Sequence, residues 1–293
     1  MILKRTLENP LLRPNPANAW EALNVFNCAV VYENELFHML YRAQGKDRVS
    51  SIGYAVSRDG VHFNRLQQPV LAPCDERDSL GVEDPRVTYL ADERRFIMAY
   101  TAYSPQGITP YFAESRNLIT WKRIGPLVTG EDNKDHVLFP QKINGRYVTF
   151  HRRVPDIGLA FSEDFENWTD FQSLVMPRPG NWDCKRVGAG GPPIETEQGW
   201  LCIYHGCDDD NVYRLGSFLL DLDDPGRVMA RSKGFLIEPA ESWELKGDVP
   251  KVVFSTANPV VDGKVYVYYG GADHVIGLAT CTIDELMDFT LHG

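Results

Sequence analysis

The sequence predicts an all-β fold, a five-bladed β-propeller with a short C-terminal helix, on three observations. The first is composition. With 14 Phe, 13 Tyr, 6 Trp and 24 Gly in 293 residues, the chain is rich in strand formers punctuated by turn residues. Segments with a 3.6-residue apolar period are nearly absent. The second is an internal repeat: Ser57-x-Asp59-x-x-x-Phe63, Ser115-x-Asn117-x-x-x-Trp121 and Ser162-x-Asp164-x-x-x-Trp168, spaced 58 and 47 residues apart. The third is a series of five apolar hairpins, one for each 50–60 residues. Radial repetition of four-stranded units accounts for all three. A β-sandwich, the competing all-β fold, leaves the matched turns unexplained.

Taken in order, the first hairpin pairs residues 28–32 with 36–42 across Glu33-Asn34-Glu35. The second pairs 86–90 with 96–103, and the third pairs 137–143 with 147–152 across Asn144-Gly145-Arg146, where Asn-Gly suits a tight hairpin turn. The fourth runs 190–195 and 200–205 across Glu197-Gln198-Gly199; the fifth runs 257–261 and 265–269 across Asp262-Gly263. A Ser-x-Asp/Asn turn follows each of the first three, leading into an outer strand that begins with an aromatic residue. The tail, residues 283–289 behind Thr282, is the predicted helix. No linker or low-complexity segment divides the chain, so residues 1–293 read as one propeller domain.

Bulk properties narrow the function. A net charge of −10 argues against a nucleic-acid partner, which requires a basic face. No run of 18 apolar residues is present, so no membrane-spanning helix is expected. The N-terminus lacks the apolar core of a signal peptide. The six cysteines are scattered without C-x-x-C spacing, which suggests reduced, mostly buried thiols in a cytoplasmic protein and no metal site. His38 and His62 read as structural.

The stretch Gly81-Val82-Glu83-Asp84-Pro85-Arg86 is the focus of the candidate chemistry. Pro85 fixes its own φ and biases Asp84 toward an extended conformation, giving a rigid carboxylate at the start of a strand. In a propeller the inner hairpins converge on one channel mouth. Their ends carry Asn27, Arg42, Asp84, Lys134-Asp135, His151-Arg152-Arg153, Lys185, His205 and Asp273. Arginine and lysine suit recognition of phosphate or carboxylate. Carboxylates with Asn and His suit sugar hydroxyls. The glycines from Gly188 to Gly191 are followed by no Gly-Lys-Ser/Thr and mark a close backbone approach, not a P-loop.

With these residues in view, the chain resembles glycoside hydrolase family 130, the β-mannoside phosphorylases and related β-mannosidases. The resemblance covers about residues 9–284 and rests on stretches in order: Phe26-Asn27-Cys28-Ala29-Val30, Glu83-Asp84-Pro85-Arg86-Val87, Leu138-Phe139-Pro140-Gln141-Lys142-Ile143, Phe150-His151-Arg152, Tyr204-His205-Gly206, Gly247-Asp248-Val249-Pro250 and Tyr268-Tyr269-Gly270-Gly271-Ala272-Asp273. It implies a five-bladed propeller and an inverting reaction. Inorganic phosphate, a co-substrate and not a cofactor, attacks the anomeric carbon of a β-linked manno-oligosaccharide and gives α-mannose 1-phosphate. Asp84 aligns with the family's general acid, whose proton passes through a sugar hydroxyl.

By the same resemblance, Arg152, Lys185 and His205 are the phosphate ligands. Asn27, Arg42 and Asp273 hold the mannosyl unit, with Tyr213 and Glu244 toward the acceptor. Two departures stand out. Cys28 replaces a serine common in the family. Thr169-Asp170-Phe171-Gln172 replaces a stretch in which many phosphorylases carry a phosphate-binding arginine; Arg153 and Arg178 are the candidate substitutes. That second departure raises an inverting β-mannosidase as the alternative, with a base such as Glu244 or Asp273. A non-catalytic sugar-binding propeller and an arabinan- or fructan-cleaving enzyme are further readings. Linkage and acceptor depend on loop shape. Propellers of this kind often associate, so a homo-oligomer is compatible with the chain.

Overall fold

The repeated turns have a single physical cause, visible in a computed structural model that describes residues 1–127 and 133–293. In each, the serine Oγ accepts the backbone N–H three residues on, from Gly60, Leu118 and Phe165, at 3.0, 2.9 and 3.0 Å. Those three residues adopt φ values of 76°, 64° and 67°. The Asp or Asn side chain then accepts the next two N–H groups: Val61 and His62 on Asp59, Ile119 and Thr120 on Asn117, Glu166 and Asn167 on Asp164. Side-chain oxygens thus satisfy the donors of a sharp reversal, which is why Ser and Asx recur at fixed spacing. In the second and third copies the Trp indole N–H caps the turn by donating to the carbonyl of Leu118 or Phe165.

The strands form four sheets. One carries eight strands and divides at a single parallel residue pair, Ser50 with Gly81, into two antiparallel groups. The first group comprises Asn24–Glu33, Leu36–Gln44, Ser50–Ser57 and Asn64–Arg65; the second comprises Gly81–Leu90, Arg95–Ser104, Gly107–Ser115 and Lys122–Pro126. The other sheets are likewise antiparallel and built on Asn133–Leu138 with Tyr147–Arg153, on Arg186–Ala189 with Gly199–Cys207, and on Val253–Ala257 with Lys264–Gly271. The N-terminal strand Lys4–Arg5 pairs with Val275–Thr282 and completes the last sheet. Asn144-Gly145 and Asp262-Gly263 both take positive φ in pairs (50° and 79°, 50° and 75°), the conformation that tight hairpins favour.

The core lies between the groups, not within any one of them. Met98 and Tyr100 of the second group pack with Leu40 and Tyr54 of the first. Leu138 and Ala160 pack with Ile97 and Phe112. Phe150 and Leu159 pack with Trp200 and Phe218, and Ile203 and Leu219 with Val267 and Tyr269. Tyr268 and Leu278 of the last group return to Met39 and Tyr41 of the first. Each apolar layer is shared by neighbours in the chain, and the final layer joins the last group to the first. The inner strands are therefore buried on both faces and read as continuous apolar runs.

Four details differ from the sequence reading. Asp84 is not extended: its φ is 51°, in the left-handed region. The fourth hairpin begins earlier, at Arg186, and its inner strand breaks after Ala189 before resuming at Ile194–Thr196. Added Cβ atoms at Gly188 and Gly190 would lie 2.4 Å from His205 Nε2 and 2.6 Å from the Ile203 carbonyl, so close approach explains these glycines. The C-terminal helix extends over Ile283–His292, with a reciprocal capping box between Thr282 and Glu285. A second, one-turn helix, Ser242–Leu245, was not foreseen.

Candidate active site

One backbone device recurs at the same end of the first three inner strands. Asn27, Asp84 and Asp135 have φ values of 43°, 51° and 54°. Each lies where strand pairing slips, between Phe26 and Cys28, Glu83 and Arg86, and Lys134 and Val137. A bulge re-aims one side chain out of the strand's alternation. Asn and Asp tolerate left-handed backbone better than other non-glycine residues, at a strain cost that functional sites commonly hold. Pro85 follows the bulged Asp84, where the ladder is already interrupted and its missing N–H is tolerated. On the last group Asp273 also has φ 51°, directly after Gly270-Gly271-Ala272. Gly270 must lack a side chain, because a Cβ would meet Asn27 Oδ1 at 2.2 Å.

These residues open onto a pocket of about 280 Å³, near the lower bound for small-molecule sites. Asn27, Arg42, Asp84 and Asp273 line it, together with the cations Lys134, Arg152 and Arg186. Tyr213, Phe254, Val249 and Val252 supply the aromatic and apolar wall. Asp84 is 3% exposed; its Oδ1 accepts Asn27 Nδ2 at 2.8 Å and Arg42 Nη1 at 2.9 Å. Beneath the cations lies fully buried Asp135, with Arg152 Nη1 at 2.7 Å, Arg86 Nη2 at 3.2 Å and His205 Nε2 at 3.4 Å. Arg86 also donates to the carbonyls of Asp84, Ala189 and Gly190, bracing the Asp84 strand against the fourth group.

The electrostatics separate the two pocket carboxylates. Burial pushes Asp84 up, but the Arg42 and Lys134 charges and the Asn27 hydrogen bond outweigh it, so its pKa lies below the ordinary aspartate value. Burial raises Asp273 to about 7, with Arg42 opposing and the Asp84 charge reinforcing. Asp135 falls well below its ordinary value, because Arg152, His205 and Arg86 together overcome its burial. His205 is lowered to about 4 by burial, despite Asp135. Near neutrality Asp84 and Asp135 are therefore ionised and His205 is neutral, while Asp273, with a pKa of about 7, is the pocket carboxyl that is partly protonated.

Six of the sequence-derived candidates, Asn27, Arg42, Asp84, Arg152, Tyr213 and Asp273, line this pocket together. Three do not. Lys185 is exposed and donates to Asn211 Oδ1 at 2.7 Å; its neighbour Arg186 faces the pocket instead. Strand parity contains this signal: Gly188 faces His205 and Asp135, and Arg186 shares its face two residues earlier. His205 is fully buried behind the pocket wall, packed at a tilt against Phe254 with ring centroids 4.2 Å apart and aimed at Asp135. Glu244 is also fully buried, held by Arg5, the Tyr269 hydroxyl and the Ala240 and Glu241 N–H groups as a helix cap. That full set of partners removes it as an acceptor ligand or base. Gln172, on the outer strand Trp168–Val175, and Arg178, paired with Asp183, also lie off the pocket wall. Lys134 and Arg186 are cations at the pocket that the sequence reading did not assign as ligands. Lys134 makes no hydrogen bond or ion pair among the described residues.

Comparison with known proteins gives a consistent picture. A family model described as β-1,4-mannooligosaccharide phosphorylase matches residues 4–292. A 1,2-β-oligomannan phosphorylase of Thermoanaerobacter sp. (strain X514) is 48% identical over 295 residues, covering 97% of this chain and 98% of that protein. A β-1,2-mannobiose phosphorylase of the same strain is 44% identical over 293 residues, covering 94% and 96%. Among solved structures, β-1,2-mannobiose phosphorylase from Listeria innocua in complex with β-1,2-mannobiose superposes with a TM-score of 0.91 at 29% identity, covering 99% of both chains. A structure described under glycoside hydrolases that target β-1,2 mannosidic linkages in Candida mannan superposes with a TM-score of 0.90 at 29% identity, covering 96% and 94%.

Proposed function

The chain belongs to the glycoside hydrolase family 130 of mannoside phosphorylases, and from that premise we propose that it is an inverting phosphorylase of β-1,2-linked manno-oligosaccharides. One observation carries the reading: Lys134, Arg152 and Arg186 line the same small pocket as Asp84 and Asp273. Three cations around one cavity suit a dianion such as hydrogen phosphate, and a planar guanidinium suits its paired oxygens. The names of two relatives of 48% and 44% identity support the β-1,2 linkage. The strand groups, each sharing an apolar layer with the next, are read as five blades around this pocket.

In this reading the mannosyl unit sits against Asn27, Arg42 and Asp273, and phosphate sits against Arg152, Arg186 and Lys134. Asp84 supplies the proton to the departing glycosidic oxygen, relayed by a sugar hydroxyl. A phosphate oxygen attacks the anomeric carbon from the opposite face, and the bond to the leaving sugar breaks. The proton of hydrogen phosphate replaces the one given up, so the turnover is balanced without a covalent enzyme intermediate. Asp84, held below the ordinary aspartate value, takes up a proton as sugar and phosphate load. Substrate removes water from it, and phosphate offsets the Lys134 and Arg152 charges. Asp273, with a pKa near 7, is a nearby source.

Hydrolysis is the second reading. It is favoured by Asp273 at the same pocket, as a base for water, and by the hydrolase among the structural neighbours. The test is an assay of linkage-defined mannobioses with and without phosphate, following mannose 1-phosphate and free mannose. Phosphate-dependent release of mannose 1-phosphate from the β-1,2 isomer is expected. Equal release of free mannose without phosphate refutes phosphorolysis. The proposed cytoplasmic location is consistent with free cysteines at all six positions and with a helix content among the described residues too short to cross a membrane.

A further inference from the structure

Glu83 is not on the pocket wall, yet it is tied into the site as tightly as Asp84. Arg42 Nη1 donates to Asp84 Oδ1 at 2.9 Å, and Arg42 Nη2 donates to Glu83 Oε1 at 2.5 Å. Arg42 Nε donates to Ser50 Oγ at 2.9 Å, and Ser50 Oγ donates to Glu83 Oε1 at 3.2 Å. The ring Arg42–Ser50–Glu83 is closed, and Asp84 hangs from its one remaining edge. Phe26 packs against the guanidinium, 4.6 Å from its ring centroid. Gly81 completes the frame: it pairs with Ser50, and a Cβ there would lie 3.0 Å from Ser50 Cβ. Four side chains from three strands thus hold one guanidinium.

We propose that Glu83 is a positioning residue for the reaction: it takes the second edge of Arg42, fixing the guanidinium against Asp84 and offsetting its charge there. The inference rests on Asp84 being the proton donor. A lone arginine beside a general acid stabilises the ionised form and so withholds the proton; a second carboxylate on the same arginine divides that stabilisation. The charged groups facing Asp84 are Arg42, Lys134, Asp135, Asp273, Arg86 and Glu83 itself; those facing Glu83 are Arg42, Asp84 and Lys134. Glu83 is raised above its ordinary value, first by burial and then by Asp84, with Arg42 opposing, as expected for a carboxylate sharing one cation.

The experiment is the pH profile of kcat for wild type and Glu83→Gln, on β-1,2-mannobiose with both substrates saturating. This profile reports groups in the loaded enzyme, and its alkaline limb reports loss of the donor's proton. Removing the Glu83 charge lowers the Asp84 pKa, so the limb is expected to move to lower pH by about one unit, with both KM values little changed. Glu83→Asp keeps the charge but withdraws it from Arg42, and should move the limb the same way by less. It also serves if Glu83→Gln does not fold. An unmoved limb, or one moved to higher pH, overturns the proposal. If wild type itself cleaves no mannobiose with phosphate, the phosphorylase reading fails instead.

Discussion

Two buried aspartates, each gripped by two arginines, make opposite uses of the same chemistry. Asp183 accepts Arg178 Nε at 3.1 Å, Arg178 Nη2 at 2.9 Å, Arg231 Nη2 at 2.6 Å and the Tyr204 hydroxyl at 2.7 Å. The arginines' other N–H groups go to the Ser232 and Met176 carbonyls. Asp135 holds Arg86 and Arg152 and faces His205 Nε2 at 3.4 Å, but among the described residues Arg152 Nε and His205 Nδ1 have no hydrogen-bond partner, and neither does Asn27 Oδ1 nearby. The first network is saturated and contributes nothing to the wall of the candidate pocket. The second is under-satisfied and stands behind an open one, so it costs folding stability and gains when an anion and a sugar arrive. Counting buried charges does not separate the two; partner saturation and the left-handed bulges do.

The sharpest way to break this comparison is Asp84→Asn. The substitution keeps size and hydrogen bonds but cannot donate the proton, so kcat should fall by roughly 10³-fold. Mannose 1-phosphate release against wild type measures it; an unchanged kcat would return the chain to a sugar-binding role. Asp183→Ala should do the reverse. Removing one partner from a saturated buried network costs about 3 kcal/mol or more of stability, read by urea denaturation, while kcat/KM per folded molecule stays the same. A loss of turnover there would mean that the two networks are not separate.

The smallest effect concerns pH. The folded-state pKa of Asp273, about 7, is above its unfolded value. Between the two values the folded chain therefore binds more protons than the unfolded one, and stability falls as pH rises through that window. Asp273→Asn removes this dependence. Its stability between pH 4 and 7 should decline less than that of wild type by chemical denaturation, and a parallel decline would refute the raised pKa.

Much of this was legible in the chain, for definite reasons. The Ser-x-Asp/Asn turns, the Asn144-Gly145 and Asp262-Gly263 hairpins and the Thr282 cap are local: the side chain that specifies the turn also satisfies the turn's own N–H groups. Asn27, Arg42, Asp84, Arg152 and Asp273 were accessible because they stand at strand ends whose order follows from those hairpins, and Tyr213 through the family resemblance alone. Lys185 and His205 share that address and chemistry, yet one is outside and one behind the wall; Glu244, also drawn from the resemblance, caps a single helical turn.

What the sequence determined by itself is the alternation of strands and turns and the set of polar residues at one end of the inner strands, because both depend on contacts within a few residues. Which of those polar groups meet depends instead on the packing of distant strands. A bulge changes side-chain parity without leaving a distinct residue type, so Asp84 turns inward from an apparently extended Asp-Pro pair. Arg42 reaches Glu83 and Asp84 from 41 and 42 residues away. Arg86 reaches Ala189 and Gly190 from 103 and 104 away. Such pairings are set by how neighbouring sheets pack, and local propensity carries no information about them.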